Sequence, residues 1–188
     1  MIVFDNETTG LLKPSLTDIS EQPYITEICC VKINFDQNSG EYDFVDEMET
    51  LVKPGMPIPE DLEEKIGITN EMVEGAPPFI EIYDHLCDFF LGEQTFVAHN
   101  LSFDAGCVKY ELMRHGLEFK FPWPKNWLCT VEATRHLENK RLRLGYLHEL
   151  ATGKQLEGWH RAKNDVYGLI RILNWMVDQK IINPEAYP

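Results

Sequence analysis

Two carboxylates follow directly on a short apolar run at the start of the chain. The run is Ile2-Val3-Phe4, and Asp5 and Glu7 come next with one residue between them. In a β-strand, residues two apart point to the same face, so these two side chains should lie together. Neighbouring carboxylates repel each other unless a positive charge lies between them, and oxygen ligands suit Mg²⁺ or Mn²⁺. The pattern therefore predicts a strand that leads into a divalent-metal site.

Two further carboxylates occupy notable helix positions. Asp104 stands near the start of a predicted helix, in line with Val108 and Leu112 at helical spacing. Taken alone, this position also fits a charge favoured by the helix dipole. Asp165 lies four residues before Leu169, on the edge of an apolar helix stripe. An aspartate on a buried helix face is costly unless it is paired or metal-bound, so Asp165 is a candidate ligand.

His160 precedes Asp165 by five residues and follows Gly158-Trp159. The ordinary imidazole pKa of about 6.5 suits a proton acceptor at neutral pH. Taken alone, such a histidine would be a surface or capping residue, but beside Asp165 we interpret it as catalytic. The remaining histidines have no matching carboxylate and are interpreted as structural or exposed, and they are His85, His99, His115, His136 and His148.

Periodicity and turn residues divide the chain into strands and helices. The predicted strands are residues 1–7, 24–35, 42–52, 95–98 and 127–129, with a hairpin turn at 36–40. The predicted helices are residues 60–66, a short helix capped by Thr69, 79–91, one that ends near 115, 142–151 and 161–178. Asn100 or Ser102 is expected to cap the helix that ends near 115. This order predicts one α/β domain over residues 1–188, with helices packed on a mixed sheet.

The charge is unusual for a protein that would hold a polyanion. The chain carries a net charge of −14, which opposes strong binding to nucleic acid. Residues 1–100 hold 4 Lys and Arg against 21 Asp and Glu, whereas residues 101–188 hold 13 against 10. The basic residues cluster before and within the His160 segment, at Lys140, Arg141, Arg143, Lys154, Arg161 and Lys163. This run is either a solvated face or a short track for phosphates.

Cysteine usage and hydropathy favour a cytoplasmic protein. The five cysteines are odd in number and show no Cys-x-x-Cys spacing, which is typical of reduced thiols. The apolar start is three residues long, so no signal peptide is expected, and no apolar stretch approaches a membrane span.

In combination, three segments resemble the DEDDh 3′–5′ exonucleases, the group of the proofreading epsilon subunit of bacterial DNA polymerase III. They are residues 5–11 (Asp-Asn-Glu-Thr-Thr-Gly-Leu), 99–104 (His-Asn-Leu-Ser-Phe-Asp) and 160–165 (His-Arg-Ala-Lys-Asn-Asp). Shorter echoes occur at residues 25–28, 66–69 and 144–147. Asn6 and Ile66 depart from the usual pattern, and Ile66 is expected to alter contacts to the terminal nucleotide. The resemblance implies a ribonuclease-H-like fold with a five-stranded mixed sheet flanked by helices.

The resemblance also implies roles in a reaction with two divalent cations, Mg²⁺ or Mn²⁺. Asp5, Glu7 and Asp165 would hold the metal that carries the attacking water. Asp5 would also bridge to a second metal, which Asp104 supports through water. His160 would be the general base.

The substrate-binding residues that the resemblance implies lie beside these ligands. The backbone and hydroxyls of Thr8-Thr9-Gly10 would bind the terminal sugar, and Leu11 would wedge beside the last base. Asn100 and Phe103 would line the same pocket, although a helix cap and a core residue are the alternative interpretations.

The expected function is release of 5′-mononucleotides from the 3′ end of DNA, in proofreading or DNA processing. The expected partners are a single-stranded or frayed 3′ end, DNA rather than RNA, and a DNA polymerase or other replication protein, with no membrane. An RNA-trimming exonuclease is one alternative, because stacking and phosphate contacts serve both polymers. An idle polymerase accessory subunit is another.

Overall fold

The computed structural model describes residues 1–14, 17–36, 38–158 and 161–188, and five strands form one mixed sheet at its centre. The strands are β1 (Ile2–Thr8), β2 (Ile25–Asp36), β3 (Glu41–Leu51), β4 (Thr95–Ala98) and β5 (Asn126–Cys129). Their order across the sheet is β3-β2-β1-β4-β5. β1, β2 and β3 pair antiparallel, whereas β4 joins β1 and β5 joins β4 in parallel. The predicted α/β class and the five-stranded mixed sheet are confirmed.

Helices cover both faces of this sheet. They are α1 (Glu60–Ile66), α2 (Asn70–Glu74), α3 (Phe79–Phe90), α4 (Leu101–Arg114), α5 (Thr130–Thr134), α6 (Leu144–Thr152) and α7 (Ala162–Asp178). Short 3₁₀ turns occur at Ile19–Glu21, Arg135–Leu137 and Pro184–Ala186. In the described parts of the chain, no helix is long and apolar enough to cross a bilayer.

The alternation of β1 separates two hydrophobic cores. Phe4 faces one core, where its ring lies edge-on to Phe96 at 5.5 Å and to Phe90 on α3 at 6.1 Å. Val3 faces the other core, with Leu169 and other apolar residues of α7. Because side chains alternate along a strand, Asp5 and Glu7 continue the row of Val3 on the α7 side. β1 is therefore buried on both faces up to the point where its carboxylates begin.

The predicted elements agree with the structure to within a few residues, with two corrections. α5 was not predicted. Asn100 stands at the N-cap position of α4, but its backbone is left-handed (φ 70°, ψ 45°) and its side chain makes no capping bond. Thr69 does cap α2, accepting a hydrogen bond from the Met72 N–H at 3.3 Å. The predicted turn at 36–40 includes Gln37, which lies outside the described residues.

Ile66 belongs to a small satellite core. It is buried with Ile58, Ile68 and Val73 at the ends of α1 and α2. The departure from the family pattern at Ile66 therefore adds apolar packing in the segment between β3 and α3.

The loop between β1 and β2 is anchored to α4 by a nearly buried ion pair. Arg114 Nη2 donates to the carbonyls of Ile19, Gln22 and Pro23 at 2.7–3.2 Å. Glu111 lies 3.1 Å from Arg114 Nη1, and its Oε1 accepts from the Ile25 N–H at 2.9 Å. The two side chains are 4% and 10% exposed, so water can replace few of these contacts.

Glu111→Ala should destabilise the protein by about 3 kcal/mol, because it strands the buried Arg114 charge and the Ile25 N–H. Urea unfolding followed by circular dichroism measures this loss. Glu21→Ala is the matched control, since Glu21 pairs with Lys13 in the same loop at 58% and 49% exposure. The control should change the unfolding free energy by less than about 1 kcal/mol. Equal losses in the two variants would contradict the anchoring role of Glu111.

Candidate active site

Three carboxylates meet near the C-terminal end of β1. Asp5, Glu7 and Asp165 each offer a ligand oxygen, and these oxygens all lie within 4.8 Å of one another. Asp5 and Glu7 share one face of β1, and Asp165 lies in the first turn of α7, which packs against that face. The strand period and the helix stripe thus bring together residues that are far apart in the chain.

Asp104 reaches the same place from the opposite side of the sheet. It is 2% exposed, and its Oδ1 accepts a hydrogen bond from the Asn6 N–H at 3.3 Å. Asn6 Nδ2 donates in turn to the Asp104 carbonyl at 3.3 Å. The residue between Asp5 and Glu7 therefore ties Asp104 to the strand. In the sequence Asn6 was noted only as a departure from the family pattern, and nothing in that pattern indicates this contact.

The electrostatics show that this cluster is short of positive charge. Burial, followed by repulsion from Asp104, Asp165, Glu7 and Glu27, raises the pKa of Asp5 well above its ordinary value. Burial and repulsion from Asp165 and Glu27 raise the pKa of Glu7 to about 8, although Arg161 opposes the rise. Burial also raises the pKa of Asp104, against the hydrogen bond from Asn6. A divalent cation would relieve this repulsion, so the residues present fit one.

The expected general base, His160, and its neighbour Trp159 lie outside the described residues. The described part of the chain resumes at Arg161. Its guanidinium donates three hydrogen bonds of 2.6–3.2 Å to the Glu27 carboxylate. Glu27 was noted in the sequence only as part of an echo of the family, and no role was assigned to it.

Leu11 is exposed, whereas Thr8 and Thr9 are nearly buried and their hydroxyls are already engaged. Leu11 is 81% exposed. The Thr8 hydroxyl donates to the Gly10 carbonyl at 2.7 Å, and the Thr9 hydroxyl oxygen accepts from the Tyr24 N–H at 2.9 Å. A bound sugar would have to share these groups or displace their partners.

Asn100 makes no capping bond, and Phe103 is partly buried; their place in a substrate pocket stays a prediction. Asn100 is half-buried, and its Oδ1 accepts a hydrogen bond from Arg141. Phe103 packs against the core between the sheet and α4. His99 is structural as predicted: its ring nitrogens contact the Thr130 hydroxyl at 2.9 Å and the Leu142 carbonyl at 3.1 Å, and burial lowers its pKa to about 4.

The structure gives two residues of the predicted basic run another role. Arg161 is committed to Glu27, and Lys163 lies 2.6 Å from Glu47 and 2.9 Å from Glu49 on β3. These cations connect the start of α7 to the acidic strands, and their side chains stay 39% and 41% exposed, so they are paired as well as partly solvated.

The fold is that of ribonuclease-H-like DEDDh exonuclease domains. The nuclease domain of 3′hExo, a DEDDh family member bound to rAMP, superimposes with a TM-score of 0.75 at 16% identity, over 95% of this chain and 91% of that one. Exonuclease X in complex with 5′ overhanging duplex DNA gives a TM-score of 0.68 at 24% identity, over 99% and 96% of the two chains.

Sequence comparison identifies the family directly. The family model described as exonuclease (RNase_T) matches residues 2–173, and the chain belongs to this family. A PolC-type DNA polymerase III of Clostridium perfringens is 34% identical over 176 residues, which make up 93% of this chain and 11% of the polymerase. The chain thus spans about a ninth of that relative's length. Membership confirms the predicted family and implies divalent metal ions.

The raised pKa of Glu7 makes the stability of the metal-free protein depend on pH. The folded state holds the proton up to a pKa of about 8, against an ordinary value of 4.5. Protonated Glu7 therefore contributes stability to the fold. The contribution is complete below the ordinary pKa of 4.5 and is lost as the pH rises through the folded-state pKa of about 8. In chelator, Glu7→Gln should therefore melt at a higher temperature than the wild type at a pH of about 9, and close to it at about 5.

Thermal melts with and without excess Mg²⁺ test the same point. Metal competes with protons for these oxygens, so the Mg²⁺-induced rise in Tm should be larger at high pH. A rise that is equal at both pH values would contradict a cation site at Glu7.

Proposed function

We propose that this protein is a divalent-metal-dependent exonuclease that removes 5′-mononucleotides from a 3′ end. The observation that carries the proposal is the convergence of Asp5, Glu7 and Asp165, with ligand oxygens within 4.8 Å of one another and a shortage of positive charge. Membership in the exonuclease family supports the reaction class.

Asp5, Glu7 and Asp165 would hold one cation, and Asp104 would support a second next to Asp5. Mg²⁺ or Mn²⁺ suits an all-carboxylate ligand set. When bound, such ions place positive charge against the phosphoryl and leaving oxygens and lower the pKa of water.

The chain's own groups would supply orientation and proton transfer. An imidazole nitrogen of His160 would accept the proton of the attacking water, which suits its ordinary pKa of about 6.5. Burial of Asp104 and its bond from Asn6 hold that carboxylate still, so that little reorganisation is needed during the reaction. The exposed Leu11 would lie beside the terminal base, and Thr8, Thr9, Gly10, Asn100 and Phe103 would surround the terminal nucleotide.

DNA is the substrate that we propose, in proofreading or DNA processing beside a polymerase in the cytoplasm. The PolC-type relative is a DNA polymerase, and Exonuclease X was solved with duplex DNA. RNA is the second candidate, since another similar structure shows a 3′-exonuclease recognising the stem-loop of histone mRNA. The net charge of −14 opposes strong binding to nucleic acid, so we expect contacts to only a few nucleotides of a frayed end and a partner that tethers the enzyme to its substrate. We further propose that residues 1–188 act as one exonuclease domain.

Asp5→Ala and Asp165→Ala should each lower the rate of oligonucleotide cleavage in Mg²⁺ by at least about 10³-fold, the scale expected when charge stabilisation of a transition state is lost. Circular dichroism should show an intact fold, because the change removes repulsion. Asp61→Ala is the control, since Asp61 lies on α1 and its side chain is 79% exposed. Full activity of either ligand variant would refute the assignment, and a wild-type protein without activity would favour the idle accessory subunit.

Matched DNA and RNA oligonucleotides with free and phosphate-blocked 3′ ends should separate the substrate classes. We expect mononucleotides from the free DNA end, slower loss of RNA, and slow cleavage of both blocked strands. Rates should fall with added salt along a shallow slope, because few phosphates are contacted. Faster loss of RNA would make RNA trimming the function. Release from a circular single strand would contradict dependence on an end.

A further inference from the structure

A buried glutamate outside the carboxylate cluster binds the chain at Arg161 and Ala162, directly after His160. Glu27 lies on β2 directly opposite Glu7 and is 1% exposed. Its oxygens accept bonds from Arg161 Nε at 3.0 and 3.2 Å, from Arg161 Nη2 at 2.6 Å and from the Ala162 N–H at 2.9 Å. One carboxylate thus binds both the guanidinium and the first N–H of α7.

These contacts occupy Glu27 and distinguish it from the proposed metal ligands. Arg161 grips both of its oxygens, and the described cluster of candidate ligands contains Asp5, Glu7 and Asp165 without Glu27. An ionised glutamate at 1% exposure is costly unless charge and hydrogen bonds satisfy it, and Arg161 and Ala162 provide both. The role of Glu27 is therefore to hold backbone.

Residues 161 and 162, which Glu27 binds, lie between two residues with proposed roles, His160 and Asp165. Arg161 is bonded directly to His160, and its carbonyl accepts from the Asp165 N–H at 3.1 Å as the first turn of α7 forms. His160 is joined by one peptide bond to the backbone that Glu27 holds. The position of Asp165 depends less on Glu27, because α7 is also held by the core packing of Val166 and Leu169 and by the ion pairs of Lys163 with β3.

We propose that Glu27 is a positioning residue that acts through Arg161 to place His160 for proton transfer. The inference rests on the proposed function. It predicts a loss confined to the chemical step, because small displacements of a catalytic group slow a reaction strongly while binding continues. Metal binding should be retained, since the ligands remain, and saturating Mn²⁺ removes the effect of any change in affinity caused by losing the Glu27 charge beside Asp5 and Glu7.

The test is a double-mutant cycle between Glu27→Gln and His160→Ala, read by steady-state kinetics (kcat and KM) and by single-turnover cleavage of a 3′-labelled DNA strand in saturating Mn²⁺. Glu27→Gln keeps the size of the side chain and an acceptor for Ala162, but removes the charge that orders Arg161. It should lower kcat by about 10–100-fold with KM within about 3-fold. In the His160→Ala background, the same change should slow cleavage by less than about 3-fold, because the group that it places is gone.

Two further variants keep the test decisive. Arg161→Lys retains the charge on a partly exposed side chain but loses the forked grip, and it should show the same coupling to His160 if Glu27→Gln fails to fold. Glu49→Gln breaks a more exposed pair to the same turn of α7, through Lys163, and should leave kcat unchanged. Mn²⁺ titration by calorimetry should show that Glu27→Gln still binds the metal, with the same stoichiometry as the wild type.

The outcomes separate the inference from the proposed function. Additive losses in an active protein, or loss of Mn²⁺ binding in Glu27→Gln, would overturn the positioning role and leave the exonuclease assignment standing. A wild-type protein without metal-dependent cleavage would overturn the proposed function, and the inference with it.

Discussion

Repulsion among acidic side chains at the end of the central strand is the constraint around which the rest of the structure is arranged. Asp5, Glu7 and Asp165 bring ligand oxygens within 4.8 Å of one another, and burial raises the pKa of Asp5 and Glu7. Water cannot fully solvate these groups, and Arg161 opposes the rise in pKa at Glu7. Such a cluster costs stability unless a cation neutralises it, and this cost is the physical basis of the proposed metal site.

The surrounding contacts hold this unfavourable cluster in place. β1 is central in the sheet and buried on both faces before its carboxylates begin, so the strand cannot move away to relieve the repulsion. Asn6 ties Asp104 to the strand from one side, and Glu27 fastens the start of α7 from the other. Stability from two hydrophobic cores thus offsets the cost of a preorganised site.

Local patterns in the sequence predicted the parts of this arrangement that depend on local geometry. The two-residue spacing of Asp5 and Glu7 placed them on one face of a strand, and the apolar stripe of α7 placed Asp165 on its buried edge. Most elements could be predicted for the same reason, since turn residues and periodicity mark their ends. The left-handed backbone of Asn100 was missed, because an asparagine before a helix usually caps it through its side chain.

Contacts between distant segments could not be predicted in this way. Glu27 and Arg161 are 134 residues apart, and Asn6 and Asp104 are 98 apart. Periodicity reports which face a residue occupies and says nothing about which partner it meets. The basic run illustrates the difference, because a count of charges left a phosphate track and a solvated face open, whereas the structure pairs Arg161 and Lys163 with glutamates of β2 and β3.

Anomalous diffraction from crystals grown with Mn²⁺ tests the central claim most directly, because it locates the cation without reference to activity. The account predicts a Mn²⁺ peak in contact with the carboxylates of Asp5, Glu7 and Asp165, and its loss in Asp5→Ala. Saturating Mn²⁺ that binds elsewhere, for example on the acidic strand β3, and leaves these three carboxylates without a peak would contradict it.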